Sequence, residues 1–212
     1  MGNYPPFLLR FFDNGDYARQ FLKAEVRFGL LTYYKRIEGI RRDKKEGEAS
    51  FFWNKAAPQI TIDLESNQII DRGESDQNIR YRGFSINQRY ILCTSHPEAD
   101  ADKLKKEIGT FIVRIKQPLV LLNKIKEVWK RHAFSLNGST ELKPVVYNRD
   151  GFLDPDPYLI APANYSYTQK SKLDEYQKEY RYVLTCTVNT DRVYEDHITI
   201  KVEGCDEICR LG

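Results

Sequence analysis

Tyr176-Gln177-Lys178-Glu179-Tyr180-Arg181-Tyr182-Val183-Leu184-Thr185-Cys186-Thr187-Val188 is the stretch whose reading decides the fold. From Tyr180 onward it crowds Tyr, Val, Leu, Thr and Cys together, the composition of a strand covered on both faces. Gln177 and Glu179 stand two apart where that strand begins, and residues two apart on a pleated strand point to the same side. An amide and a carboxylate are therefore expected side by side at the mouth of a buried strand. The same residues also allow a helical reading, because Leu173, Tyr176 and Tyr180 fall at helix spacing, which would put Gln177 and Glu179 on a solvated helix end.

Outward from this strand, the chain alternates short extended runs with a few helices. Phe7 to Phe12 reads as a buried strand interrupted by Arg10, Asp13-Asn14-Gly15-Asp16 as a turn and cap, Tyr17 to Ala24 as a helix, and Val26 to Tyr34 as extended chain. Gln59 to Leu64 and Gln68 to Ile70 alternate with period two about Glu65-Ser66-Asn67, which predicts a hairpin. Strands are expected over Ile79 to Ile86, over Arg89 to Ser95 and over Thr110 to Lys116, with a helix from Ala99 to Ile108 stopped by Gly109. Pro118 opens the clearest helix, whose apolar stripe reads Leu119, Leu122, Ile125 and Trp129. Phe134 to Lys143 reads as a loop, Pro144 to Tyr147 as a strand, Asp154 to Asp174 as irregular chain, and His197 to Val202 as a closing strand. The sum is an α+β fold over 1–212 as a single domain, a mostly antiparallel, two-part (split) sheet with a few flanking helices.

Composition narrows the class. The chain has 212 residues, enough for a real core, and 41% hydrophobic with 13% aromatic content belongs to an ordered globular protein. Charged residues make up 30% but the net charge is only +3, so any nucleic-acid affinity has to come from a local patch. No apolar run reaches membrane-spanning length and the first residues lack a basic segment followed by an apolar one, which predicts no membrane association and a cytoplasmic location. Met1-Gly2 does not make a myristoylation signal, because Pro6 stands where Ser or Thr is required. Four cysteines at 93, 186, 205 and 209 and three scattered histidines supply no four converging ligands, so no metal is expected.

One local patch does exist. Lys35, Arg36, Arg41, Arg42, Lys44 and Lys45 crowd a short segment that Tyr33, Tyr34, Phe51, Phe52 and Trp53 flank. Cations that track phosphates beside rings that stack on bases are the ingredients of a nucleic-acid surface, and Arg36, Arg41 and Arg42 are the candidates for it. A solvated loop accounts for the same composition.

Arg10, Thr94-Ser95 and Gln177-x-Glu179 interrupt otherwise apolar strands, and their order resembles the diphtheria-toxin-like ADP-ribosyltransferases, in particular the class with Arg on the first strand, a Ser-Thr-Ser-like motif on a middle strand and Gln/Glu-x-Glu on a later one. Cys93 stands where that motif has its first Ser. The resemblance implies NAD as co-substrate, with Arg10 contacting its phosphates or nicotinamide-side ribose, Thr94 and Ser95 shaping the nicotinamide pocket, Glu179 as the catalytic carboxylate, and Gln177 orienting the acceptor. The opening strand, helix and Gly29 are similar to DNA-targeting members of that superfamily. The Tyr33-Tyr34-Lys35-Arg36 segment and the late Glu179-Tyr180-Arg181 strand are similar to bacterial defence and mobile-element proteins. These likenesses imply a toxin acting on RNA or DNA bases, with an antitoxin or immunity protein as a possible partner.

The chemistry asks for the same parts independently of the family. Breaking a nicotinamide glycosidic bond develops positive charge on the ribose, which calls for a buried carboxylate, a cationic clamp and aromatic walls. Glu179, Arg10, and Tyr33 with Tyr34 offer these, although Arg10 and Glu179 also suit a plain salt bridge. Two other classes compete: a non-catalytic module binding nucleic acid or a protein partner, and a metal-dependent nuclease, since Glu141-Leu142-Lys143 resembles an acidic-x-Lys motif but Phe111 to Lys116 supplies no second acid.

Overall fold

The computed structural model describes residues 4–31, 33–35, 48–53, 59–63, 68–73, 79–84, 89–132, 135–147, 168–186 and 194–212. It is α+β, with a mostly antiparallel open sheet and a few helices. Contacts divide the chain into two compact units: one made of Met1–Lys44, Asn87–Val145 and Tyr176–Gly212, the other of Lys45–Ile86 and Val146–Glu175.

The first unit opens with β1 (Leu8–Phe12) and α1 (Gly15–Leu22). Asn14 caps the helix, its side chain accepting from the Asp16 backbone N–H at 2.7 Å, and Ala18 and Phe21 face inward. β2 (Glu25–Leu30) follows, and the chain then tightens into a 3₁₀ turn over Tyr33–Lys35 where continued extension was expected.

The second unit carries β3 (Glu48–Trp53), β4 (Gln59–Asp63), β5 (Gln68–Gly73) and β6 (Ile79–Phe84). β4 and β5 form the predicted hairpin, with a register shift between Thr61 and Ile62, and β3 pairs antiparallel with β6. A parallel bridge joins Val146 to Gln169 in the same unit, so Val146 does not head a strand of its own.

Back in the first unit come β7 (Arg89–Ser95), α2 (Ala101–Glu107) capped by Asp100, β8 (Phe111–Ile115) and α3 (Pro118–Trp129). The buried stripe of α3 is Pro118, Leu121, Ile125 and Trp129, while Leu119 is exposed, which corrects the predicted stripe. Leu121, Ile125 and Trp129 are spaced by four and lie one above another, and Leu122 packs half-buried against the same core as expected, so the departure is Leu121 in place of Leu119.

Residues 135–144 form β9 (Ser135–Pro144) where a loop was expected. Its Asn-Gly-Ser-Thr composition hides the strand, but it pairs along β10 (Glu179–Cys186), and Leu142 is buried. β11 (His197–Lys201) is followed by α4 (Cys205–Ile208) and β12 (Cys209–Leu211), so β11 is not the last strand.

The eight strands of this unit run β11-β2-β7-β1-β8-β12, with β10 and then β9 added on the other edge of β7. One edge of β7 is therefore shared by two neighbours. β2 pairs at Ile91 and Tyr90, β1 pairs only at Ser95, and the sheet forks between them at 92–94. Leu8, Leu92, Val113, Tyr182 and Leu184 fill one face together with the inner sides of α1 and α3. The other face carries a small cluster of Phe11, Ala99 and Leu104.

Trp129 ties α3 to the sheet: it is wholly buried, stacks on His132 at 4.8 Å between centroids, and donates from Nε1 to the Thr185 carbonyl at 3.2 Å. Trp129→Ala is expected to lower unfolding stability by about 3–5 kcal/mol, read as a fall in the urea midpoint at unchanged slope.

Candidate functional site around Glu179 and the sheet fork

The 3₁₀ turn Lys172–Gln177 ends one residue short of where β10 begins. Lys178 between them is left-handed, with φ of 38°, a conformation that costs a side chain roughly 1 kcal/mol and is kept only when neighbours enforce it. Here they do: the Lys178 carbonyl accepts from the His96 N–H at 2.9 Å and its ammonium lies 2.9 Å from Glu98 Oε2. Gln177 and Glu179 consequently do not share a pleat, which corrects the expected side-by-side pair. Gln177 belongs to the turn, where its Nε2 donates to Tyr176 Oη at 3.1 Å, and Tyr176 in turn donates to Glu107. The helical spacing of Leu173 and Tyr176 described this turn, whereas the strand reading holds from Glu179.

Glu179 stands opposite Ser95 on β7, and Arg181 opposite Cys93. Cross-strand partners and residues two apart share a face, so Glu179, Arg181, Cys93 and Ser95 form one patch. Glu179 and Ser95 are buried, and Arg181 is fully so. Arg181 Nε donates to Glu179 Oε1 at 2.6 Å. A charge-assisted bond of this length offsets part of the cost of removing both ions from water and fixes the carboxylate in place.

Thr94 lies on the opposite face, across from Tyr180, and its hydroxyl donates to the Tyr180 carbonyl at 2.9 Å. Of the two expected hydroxyls, only Ser95 shares the Glu179 patch. Arg10 also starts on the Thr94 face, because Leu9 is the residue that pairs with Ser95. The fork, however, leaves β7 open beside it, and the guanidinium reaches in to donate to the Cys93 carbonyl at 2.5 Å, with its carbon 5.1 Å from the Phe12 ring centroid.

Tyr34 gathers these groups. Burial holds its hydroxyl pKa well above the ordinary tyrosine value; Cys93 and Glu179 push it further up, while Arg10 and Arg181 pull it down. The phenol is thus neutral and able to donate, within electrostatic range of both guanidiniums and the carboxylate. Gly29 makes room for it: a Cβ there would come within 2.7 Å of the Tyr34 oxygen. Tyr33 packs instead against the main core, edge-on to Tyr34 at 5.8 Å. Arg36, Arg41 and Arg42 lie outside the described residues.

The fork therefore brings together Arg10, Tyr34, Ser95 and Glu179, while Thr94 lies on the opposite face, Gln177 in the preceding turn and Tyr33 against the main core. Arg181 is the site residue that sequence reasoning missed, and the signal was present. The period-two spacing that links Gln177 to Glu179 in the sequence also links Glu179 to Arg181. On β9, Lys143 and Glu141 pair with each other at 3.3 Å, and among the described residues no group of three or more His, Cys, Asp or Glu converges.

A buried carboxylate bound by one guanidinium, with a neutral phenol and a second guanidinium close by, is equipped to accept from sugar hydroxyls and to stabilise a developing cation. Deleting only the carboxylate leaves a buried cation without it. Glu179→Ala is expected to cost about 3–5 kcal/mol of stability. Glu179→Leu combined with Arg181→Met is expected to recover most of that loss, as measured by urea unfolding of the two variants beside the parent.

No protein-family model, curated protein or solved structure matches the chain, so what this site does is read from its own residues.

Proposed function

We propose that the chain is an NAD-dependent mono-ADP-ribosyltransferase, a toxin that modifies bases of RNA or DNA in the cytoplasm and is held in check by a neutralising protein partner. One observation carries the reading: Glu179 is buried at the start of β10, bound by Arg181, opposite Ser95 and beside the fork in which the Arg10 guanidinium lies. In such a reaction the bond from the ribose C1′ to the nicotinamide nitrogen breaks, and nicotinamide leaves neutral with the electron pair. The acceptor nitrogen or oxygen attacks the cationic carbon and loses its proton.

Each residue at the fork fits a part of that co-substrate. A carboxylate suits the ribose hydroxyls and the positive carbon, a guanidinium suits the pyrophosphate, and a neutral phenol supplies both a donor and a wall. NAD brings the leaving group and the ADP-ribose. The chain's own groups bind it and supply the negative charge. The acceptor assignment rests on the basic, ring-flanked run from Lys35 to Trp53.

The full burial of the Glu179–Arg181 pair favours a second reading, in which the pair is structural and the chain is a binding module. Glu179→Gln separates the two because it keeps the shape and one acceptor oxygen. With labelled NAD and separate pools of RNA, DNA and protein, the parent chain is expected to label nucleic acid, and Glu179→Gln to lose at least a hundredfold in rate while staying folded at the assay temperature, as read by circular dichroism. Absence of labelling by the parent in every pool, or undiminished labelling by Glu179→Gln, overturns the transferase reading.

A further inference from the structure

Away from the fork, Cys205 and Cys209 lie at the two ends of α4, the second being the first residue of β12. Both are buried free thiols, and their sulfurs are 3.7 Å apart, within S–H···S distance. A disulfide needs roughly 2.05 Å between sulfurs, so a side-chain rotation on each residue covers most of the difference. The surroundings are thinly held: α4 has four residues, β12 has three, β12 closes one end of the strand order, and Arg210 and Leu211 are exposed. Short edge elements of this kind open locally far more often than the whole domain unfolds, which admits a small oxidant.

We propose that Cys205 and Cys209 are an oxidation site, a dithiol that a peroxide converts to an intramolecular disulfide. The roles differ between the two sulfurs. The hydrogen bond between the two sulfurs chiefly lowers the Cys205 pKa, with Lys124 adding to it, while the same contact and burial raise that of Cys209. The Lys124 ammonium donates to the Glu203 carbonyl at 3.0 Å and so stands on the Cys205 side, which makes Cys205 the attacking sulfur and Cys209 the resolving one. The Cys205 sulfur takes one oxygen of the peroxide as the O–O bond breaks, and the departing hydroxide is protonated to water. The Cys209 sulfur then displaces hydroxide from the sulfenic acid as the S–S bond forms, and the Cys209 proton completes a second water. The two thiols lose two electrons, and the peroxide gains them. Cys186, whose pKa burial pushes up to about 12, is not competent for this step. Cys93, half-buried on β7, serves as an internal comparison.

The site lies outside the proposed transferase machinery, and its test does not depend on it. Trypsin cuts after Lys201 and Arg210, so both sulfurs fall in one peptide, Val202 to Arg210. The full chain is treated with dilute hydrogen peroxide, alkylated with iodoacetamide in denaturant, digested and weighed. The expected peptide is unalkylated and lighter by two hydrogens, and regains two alkyl groups after dithiothreitol. In Cys209→Ser, Cys205 is expected to accumulate as a sulfenic acid that dimedone traps. A doubly alkylated Val202 to Arg210 peptide under conditions that oxidise Cys93 overturns the proposal, and this measurement on the unaltered chain decides the matter even where the variant fails to fold.

Discussion

β7 is bound along one edge by β10 and, along the other, by two strands that cannot both run its full length. That shared edge is the constraint from which the site follows. Because β2 takes Tyr90 and Ile91 and β1 takes Ser95, the Cys93 carbonyl, which faces this edge, has no strand to satisfy it. A buried carbonyl without a partner costs on the order of 1–3 kcal/mol. Arg10 answers it by donating to that carbonyl from the side of the fork. A cation is thereby fixed next to the row of β7 residues that faces Glu179. Fold and site have the same cause, a ladder left incomplete at its centre.

The second constraint is the ion pair on β10. Two charges in this position are expensive unless they satisfy each other, and the i, i+2 spacing lets one strand supply both members of the pair. Arg181 thus anchors Glu179 from its own strand, while the left-handed Lys178 turns the preceding chain away. The carboxylate sits at the first residue of regular structure, rigid on one side and next to a turn on the other.

Much of the fold was legible because it depends on local alternation. Leu8 to Phe12, Arg89 to Ser95 and Tyr180 to Cys186 are apolar runs that only a covered strand explains, and the hairpin between residues 59 and 73 shows its period. β9 was not legible, since Asn137, Gly138 and Ser139 have poor strand preference, and the pairing that makes the strand, Thr140 to Pro144 and Ser135 against β10, is with a distant segment. The fork was not legible either, because it depends on which residues of distant strands face one another. Of the site, Glu179, Ser95 and Arg10 could be picked as polar interruptions of apolar strands. Gln177 was misplaced because a single left-handed residue, invisible to periodicity, separates the turn from the strand.

The shared edge of β7 also bears on how the chain reaches its native state. Ser95 meets Glu179 on one side and Leu9 on the other, partners 84 and 86 positions away by subtraction of their numbers. No hairpin builds the middle of this sheet. Its central strand waits for two long loop closures, whose entropy must be lost before either ladder returns any energy, so the rate-limiting barrier is set by topology and not by the propensity of any one segment.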